Sequence, residues 1–495
     1  MSRLFVAVDL GEELGRVFLG TLHKGQLAVS EVHRFHNLPL REKKEVLWDV
    51  AQIYQDTLTG LLNVGLYDEP VDGISCTSWG GDYLLFHADA SFIPPTRHHV
   101  DPRTLEGRKE LLEKNSLESI YDETGRHESL KSTLYQLAAE KSRALKKADH
   151  LMPFADGFNF LLSGAACVEA SSASATQLFN PRTRYWSDAM RSAVGLPSTL
   201  LPTVIPSGTK LKPIRPELGL ATKLEGAHIV ATCSNELAAA LASLPTHEGE
   251  QWAFLRLDAS ATLGAPLPEA VVTPSAFEAG LTHTLGANNS VFGHVEAHGL
   301  KLLDDCRAFW AESDHSLDDS SLAHLAATAE PLESIVDLSD PRFATSEDLV
   351  AKIQAYCRET DQTAPRKPGA IYRCLMESLA FQYRLKLDDL TRLTGIEFTH
   401  LHLLGDSKNS MLNHFIANAT QLPVLIAPSN PTALGNILTQ ALALNRITDR
   451  NEANLINQQC FKRPLVLPNP TTTWAPAYDL LCKIRGMAEA VPVSA

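Results

Sequence analysis

Phe5–Val17 reads FVAVDLGEELGRV, and the fold turns on how this stretch is read. An apolar run leads into Asp9, Gly11 follows two residues later, and Glu12 and Glu13 stand before Gly15 and Arg16. A buried strand that ends on Asp-x-Gly delivers a tight turn suited to a phosphate or a metal. Backbone N–H groups converge in such a turn, and glycine permits close approach. Glu12 and Glu13 oppose that use, since two carboxylates within reach of a phosphate cost roughly 1–4 kcal/mol each. The alternative is that both side chains swing outward and the turn loses only hydroxyl donors.

Outward from the turn, RLFVAVDL predicts a buried strand, RVFLGTL a second and QLAVSEVHRF a third, joined by short turns. A dinucleotide-binding unit would instead place a helix directly after the first strand. A helix is expected over Glu45–Leu62, where Val46, Leu47, Val50, Ile53, Tyr54, Leu58, Leu61 and Leu62 recur at helical spacing. VDGISCTSW then reads as a strand returning parallel to the first. The order strand-strand-strand-helix-strand-helix is that of an actin-like, ribonuclease H-like ATPase domain. A second copy begins near Trp252 with QWAFLRLDASATLGAPL. It continues through a long helix at about Pro368–Leu393, the strand and turn THLHLLGDSKN, and LPVLIAPSNPTALGNILTQAL as strand, loop and helix. The expected fold is α/β, with two actin-like domains and a central cleft. The expected domains are 1–245 and 246–445, parted in the polar stretch Ser243–Glu250, with a tail over 446–495 that packs back on the body.

Bulk properties agree with a two-domain soluble chain. At 495 residues it is too long for one ordinary core, and its composition, 44% hydrophobic and 21% charged, is globular. No apolar run reaches the roughly 18–20 residues that span a bilayer, and no signal peptide is read at the N-terminus. A net charge of −14 argues against nucleic acid and anionic membranes as partners. The eight cysteines include no CxxC pair, which points to a reducing cytoplasm and no zinc site. RHHVD (Arg97–Asp101) is the densest histidine group, read as a solvated loop.

Several short motifs stand in a familiar order: VAVDLG, GRV, EVHRF followed by WDV, SWGGDY, STLYQL, LMP with Asp156 and LSG, ATQL, DPRF near Asp340, and ALGNI. Together they resemble the FGGY carbohydrate kinases, in particular their rhamnulokinase branch, from Phe5 to about Leu444. The resemblance implies transfer of the γ-phosphate of ATP, with Mg²⁺, to a ketose hydroxyl. It implies a sugar side in the N-terminal domain and a nucleotide side in the C-terminal one. Asp9 would hold Mg²⁺. Asp9, Gly11, Asp258, Gly405 and Asn409 are the matching nucleotide-side positions. Trp79, Gly80, Asp82 and Asn235 are the sugar-side positions, with Asp101 and Arg103 nearby, and Glu236 occupies the position of the catalytic base.

Against that pattern the chain departs at several points. Glu12, Glu13 and Leu14 replace small residues of the first phosphate turn. Asp258 takes the place of a glycine in the second turn, and LLGDSKN shortens a triple-glycine loop. Gly435 of ALGNI reads as a packing residue. Asn235 stands for a histidine, Glu236 for an aspartate, Thr77 and Ser78 for Asp and Thr, and Lys131 and Ser132 for Phe and Asn. Glu236 has a second reading, as an acidic residue stabilising a helix start. Asp156 and Glu169 match acidic positions of the pattern and equally suit a helix surface. These departures lead to the expectation of a rhamnulokinase-like sugar-binding protein whose ATP chemistry is weakened or lost. The alternative is an active, divergent sugar kinase using ATP and Mg²⁺. The expected partner is a small-molecule sugar, with no nucleic acid or membrane; the sequence identifies no protein partner.

Overall fold

The computed structural model describes residues 2–67, 69–140, 143–311, 317–405, 408–469 and 474–486. Chain contacts group them into two units. The first takes Met1–Glu248, Pro266–Gly293 and Pro428–Lys462; the second takes Gly249–Ala265, His294–Ala427 and Arg463–Ala495. The division therefore follows contacts and not linear order, and the helix Pro431–Ala443 belongs to the first unit.

The first unit is built on β1 (Arg3–Leu10), β2 (Leu14–His23) and β3 (Gln26–His36), an antiparallel meander. Its sheet runs Thr209–Pro213, His228–Ala231, Val71–Ser78, β1, β2, β3. Val71–Ser78 is parallel to β1, and His228–Ala231 is parallel to Val71–Ser78. β1 is buried on both faces, which explains why its apolar run is continuous rather than alternating. Leu4, Val6, Val8 and Leu10 face a core shared with α1 (Val50–Val64) and the helix Phe154–Ser163. Phe5 and Ala7 face the opposite core, formed with Leu434, Ile437, Leu438 and Ala441 of the helix Pro431–Ala443.

The expected helix over Glu45–Leu62 is corrected at its start. Glu45–Trp48 is a strand paired with Leu40–Glu42 and Thr96–Arg97, and α1 begins only at Val50. Asp49 sets that boundary: its carboxylate accepts a hydrogen bond from the Gln52 amide at 3.0 Å.

In the second unit, Trp252–Leu257 and Ser260–Leu267 form an antiparallel hairpin. Trp252–Leu257 pairs in parallel with His400–Gly405, which in turn pairs in parallel with Val424–Ile426. The helix Ser410–Thr420 packs beside this sheet and against the long helix Pro368–Thr394. No helix among the described residues is long and apolar enough to cross a membrane.

Candidate functional site

Three neighbouring parallel strands of the first unit end close together, and each end delivers residues singled out from the sequence. β1 ends at Asp9 and Gly11, Val71–Ser78 leads to Trp79, Gly80 and Asp82, and His228–Ala231 leads to Asn235 and Glu236. The carboxyl ends of parallel strands are the common ligand edge of α/β sheets. The amide of Ser78 donates to the Ser234 carbonyl at 2.9 Å, tying two of these ends together. A Cβ placed on Gly80 would stand 2.9 Å from the Ala175 Cβ and 3.4 Å from Asn235 Nδ2, so glycine permits that approach.

Asp9 is buried and ion-paired with Arg16, its cross-strand partner, at 2.6 Å. Arg16 also donates to Asn430 Oδ1 at 3.2 Å. The turn after Asp9 is clamped by Asn37, whose Nδ2 donates to the Gly11 carbonyl at 2.5 Å and whose amide donates to the Glu13 carbonyl at 3.0 Å.

Glu12 does not stand as an isolated charge in this turn. One oxygen lies 2.9 Å from Lys131 Nζ and the other 3.0 Å from His99 Nε2. Burial opposes the Glu12 charge, yet the cationic partners His99 and Lys131 outweigh it and hold the carboxyl at about 2. Behind His99 stands Asp82, 2.8 Å from Nδ1. Burial works against the His99 charge too, but Asp82 and Glu12 raise it to about 9. His98, its neighbour, is pushed down to about 4 by burial and by the His99 charge.

Asp82 is fully enclosed. Its Oδ2 accepts from Trp48 Nε1 at 2.9 Å, Trp79 Nε1 at 2.8 Å and His99, while Oδ1 is buried and accepts no hydrogen bond. Trp79 is packed against Trp48 and Phe154, with ring centroids 4.6 and 4.7 Å away, and offers no open aromatic face. The expected solvated loop at RHHVD is corrected as well: His98, His99 and Asp101 are all buried. Asp101 spends its carboxylate on the Val46 amide at 2.8 Å and the Arg103 amide at 3.0 Å. Arg103 in turn pairs with Glu140 at 2.7 Å. Glu12, His98 and His99 place possible metal-ligating atoms within 4.8 Å of one another. Those atoms are already committed in part, to Lys131 and Asp82 and, at His98 Nδ1, to the Val100 amide.

Asn235 is the N-cap of the helix Glu236–Ala242, its Oδ1 accepting from the Leu237 and Ala238 amides. Glu236 opens that helix, half-buried. The surface role considered for Asp156 and Glu169 is corrected. Both are buried and joined, the Glu169 amide donating to Asp156 Oδ1 at 3.2 Å and Ser234 bonding both carboxylates. Burial pushes Asp156 up to about 7 and Glu169 up to about 8, against hydrogen bonds that favour their charged forms.

In the second unit, Asp258 and Gly405 lie together at the ends of two parallel strands. Asp258 pairs with Arg256 at 2.8 Å. Gly405 has φ 86°, and a Cβ there would sit 2.3 Å from the Leu257 carbonyl oxygen, so glycine is required for the backbone alone. Asn409 is the N-cap of the helix Ser410–Thr420, accepting from the Leu412 amide at 3.0 Å. Asp406 and Ser407, between them, lie outside the described residues.

Sequence reasoning missed Asn37, Trp48 and His99 as parts of this site, and it noted Lys131 without linking it to Glu12. Trp48 and His99 lay inside quoted motifs, WDV and RHHVD, but nothing in their spacing announces that they converge on Asp82.

Comparison with known proteins bears on the family and the fold. The family model for the FGGY carbohydrate kinase N-terminal domain matches residues 4–242, and that for the C-terminal domain matches residues 253–444. A rhamnulokinase of Enterococcus faecalis is 30% identical over 476 residues, covering 95% of either chain. One from Pectobacterium atrosepticum is 30% identical over 452 residues, covering 90% of this chain and 89% of its own. Among solved structures, xylulose kinase from Rhodospirillum rubrum superposes with a TM-score of 0.80 at 16% identity, covering 98% of both chains. Plasmodium falciparum glycerol kinase with ADP gives 0.79 at 14%, covering 94% of both. These structures share the fold, two sheet-rich domains of the actin-like ATPase type. The chain belongs to the FGGY family of carbohydrate kinases.

Proposed function

We propose that this chain is an active sugar kinase, which transfers the γ-phosphate of ATP to a hydroxyl of a ketose of the rhamnulose type. The observation that carries the reading is the end-to-end match to rhamnulokinases. The meeting of Asp9, Asp82 and Glu236 at one strand edge supports it. Phosphoryl transfer is mostly positioning and charge stabilisation, so few parts are needed.

Glu236 is the group we assign as base, accepting the proton of the attacking hydroxyl. It stands in the first turn of its helix, where the helix dipole favours a negative charge. Asn235, fixed as N-cap with its Nδ2 toward Gly80, and the backbone of Gly80 orient the sugar. Asp82 fixes Trp48, Trp79 and His99 behind that surface. The Gly11 turn, clamped by Asn37, offers its backbone amides to a phosphate of the nucleotide. A single carboxylate acting through water suits Mg²⁺, which dehydrates reluctantly, and Asp9, which it would share with Arg16, would supply one. The ion would neutralise charge on the transferring phosphoryl group.

A second reading, sugar binding without turnover, draws on Asp258, whose carboxylate pairs with Arg256 in a phosphate turn where glycine would be expected. A coupled assay of ketose-dependent ADP formation separates the two. Turnover is expected for the parent, with Glu236→Gln lowering kcat about a hundredfold or more. Sugar binding with no ADP release in the parent supports the second reading and overturns the first.

A further inference from the structure

Two departures from the family pattern that lie far apart in sequence meet in space. Glu12 stands where the resemblance implies a small residue of the first phosphate turn, Lys131 where it implies a phenylalanine 119 positions later, and their side chains form an ion pair at 2.9 Å. A third group, His99, closes the pair from the other side at 3.0 Å and is itself seated on buried Asp82 at 2.8 Å. The result is a chain of alternating charge, Lys131–Glu12–His99–Asp82.

We propose that Lys131 and His99 are positioning residues that draw Glu12 aside from the first phosphate turn and cancel its charge, so that the turn accepts a polyphosphate despite its glutamates. The inference rests on the kinase reading above. Glu12 is too acidic to shed its charge by protonation at neutral pH, so relief must come from cations. His99 is held cationic between two carboxylates, whereas His98, whose ring centroid is 4.2 Å away, stays neutral; the adjacent rings do not repel. Glu13 needs no such partner. Its side chain is exposed to solvent, which screens it, while its carbonyl is held by Asn37.

The roles divide by burial. His99 is enclosed and fixes where the Glu12 carboxylate points, whereas Lys131 is half-exposed and supplies the balancing charge. Removing Lys131 should therefore leave the fold intact and return a net negative charge to the turn.

The test is a double-mutant cycle read by calorimetric titration of MgATP and by steady-state kinetics. Its members are the parent, Lys131→Met, Glu12→Gln and the double variant, with thermal unfolding as a control for folding. Lys131→Met is expected to weaken MgATP binding roughly three- to thirtyfold, more at low salt than at high. The KM for ATP should rise accordingly, with kcat and the KM for the sugar little changed. Adding Glu12→Gln should restore affinity to within about twofold of Glu12→Gln alone, a nonadditivity that marks the two residues as coupled. If Lys131→Met leaves the affinity unchanged, or if the double variant stays as weak as Lys131→Met, the proposal is overturned; the second outcome makes Lys131 a direct phosphate ligand. A parent and a Glu12→Gln variant both silent toward MgATP would overturn the kinase reading itself, and this positioning role with it.

Discussion

Asp156 and Glu169 show how strongly one residue's surroundings decide its chemistry. Both are carboxyls in a buried seam sealed by serine hydroxyls and amides, and burial favours their protonated forms. The sign of the resulting pH dependence follows. A carboxyl whose folded value lies above its unfolded one binds more protons folded than unfolded. Its contribution to stability is therefore greatest in acid and declines as pH rises from 3.8 through about 7 for Asp156. Asp156→Asn should flatten the fall in stability between those values, by an amount on the order of 2–4 kcal/mol at most. Thermal unfolding of parent and variant across that range checks it, and a Tm difference between the two that does not change with pH contradicts the assignment. Glu12 is the opposite case, a carboxyl held ionised because two cations reach it. The sequence announced its conflict with a phosphate turn but not the resolution, because Lys131 and His99 approach it only through the fold.

At the scale of elements, the helix Pro431–Ala443 does most to organise the first unit. It lies against β1, and Gln440 Nε2 donates to the Val6 carbonyl at 2.9 Å, while Asn436 Nδ2 donates to Thr77 Oγ1 at 3.1 Å. Where it crosses the helix Glu236–Ala242, Gly435 has no room for a side chain, since a Cβ would come 1.9 Å from the Ala239 carbonyl oxygen. Gly435→Ala should cost about 1–3 kcal/mol or more by overpacking. Through the Glu236 helix it should also lower kcat, both measurable by denaturant unfolding and the coupled assay. An unchanged midpoint would mean that the two helices separate freely. Elements of this kind were legible in the sequence wherever an apolar period ran uninterrupted, as in β1, the hairpin after Trp252 and the long helix from Pro368. They were misread where burial came from both sides of a short segment. Val46, Leu47 and Trp48 continue the helical pattern of α1, yet Asp49 caps the helix and leaves them in a strand.

Across the whole molecule, motif order in the sequence sufficed for the family, because eight or more weak signals in register constrain one fold. It did not reveal which residues belong together in space. The segment Pro428–Lys462 joins the first unit, where Arg450 donates to the carbonyls of Ala242 and Leu244, and Asn454 to that of Thr246. Such long-range pairings have no local period to betray them. The same gap lies behind the functional question. Read singly, each departure from the family pattern looks like loss, whereas in the structure Glu12 is compensated, Asn235 caps the helix that carries Glu236, and Gly405 keeps its turn. A nucleotide site in working order is the claim on which the rest depends, and calorimetric titration of MgATP into the parent protein tests it most directly. The account predicts saturable binding with Kd in the micromolar range, about −8 kcal/mol at 1 μM. The absence of binding heat up to millimolar nucleotide, in a protein that remains folded, would contradict it.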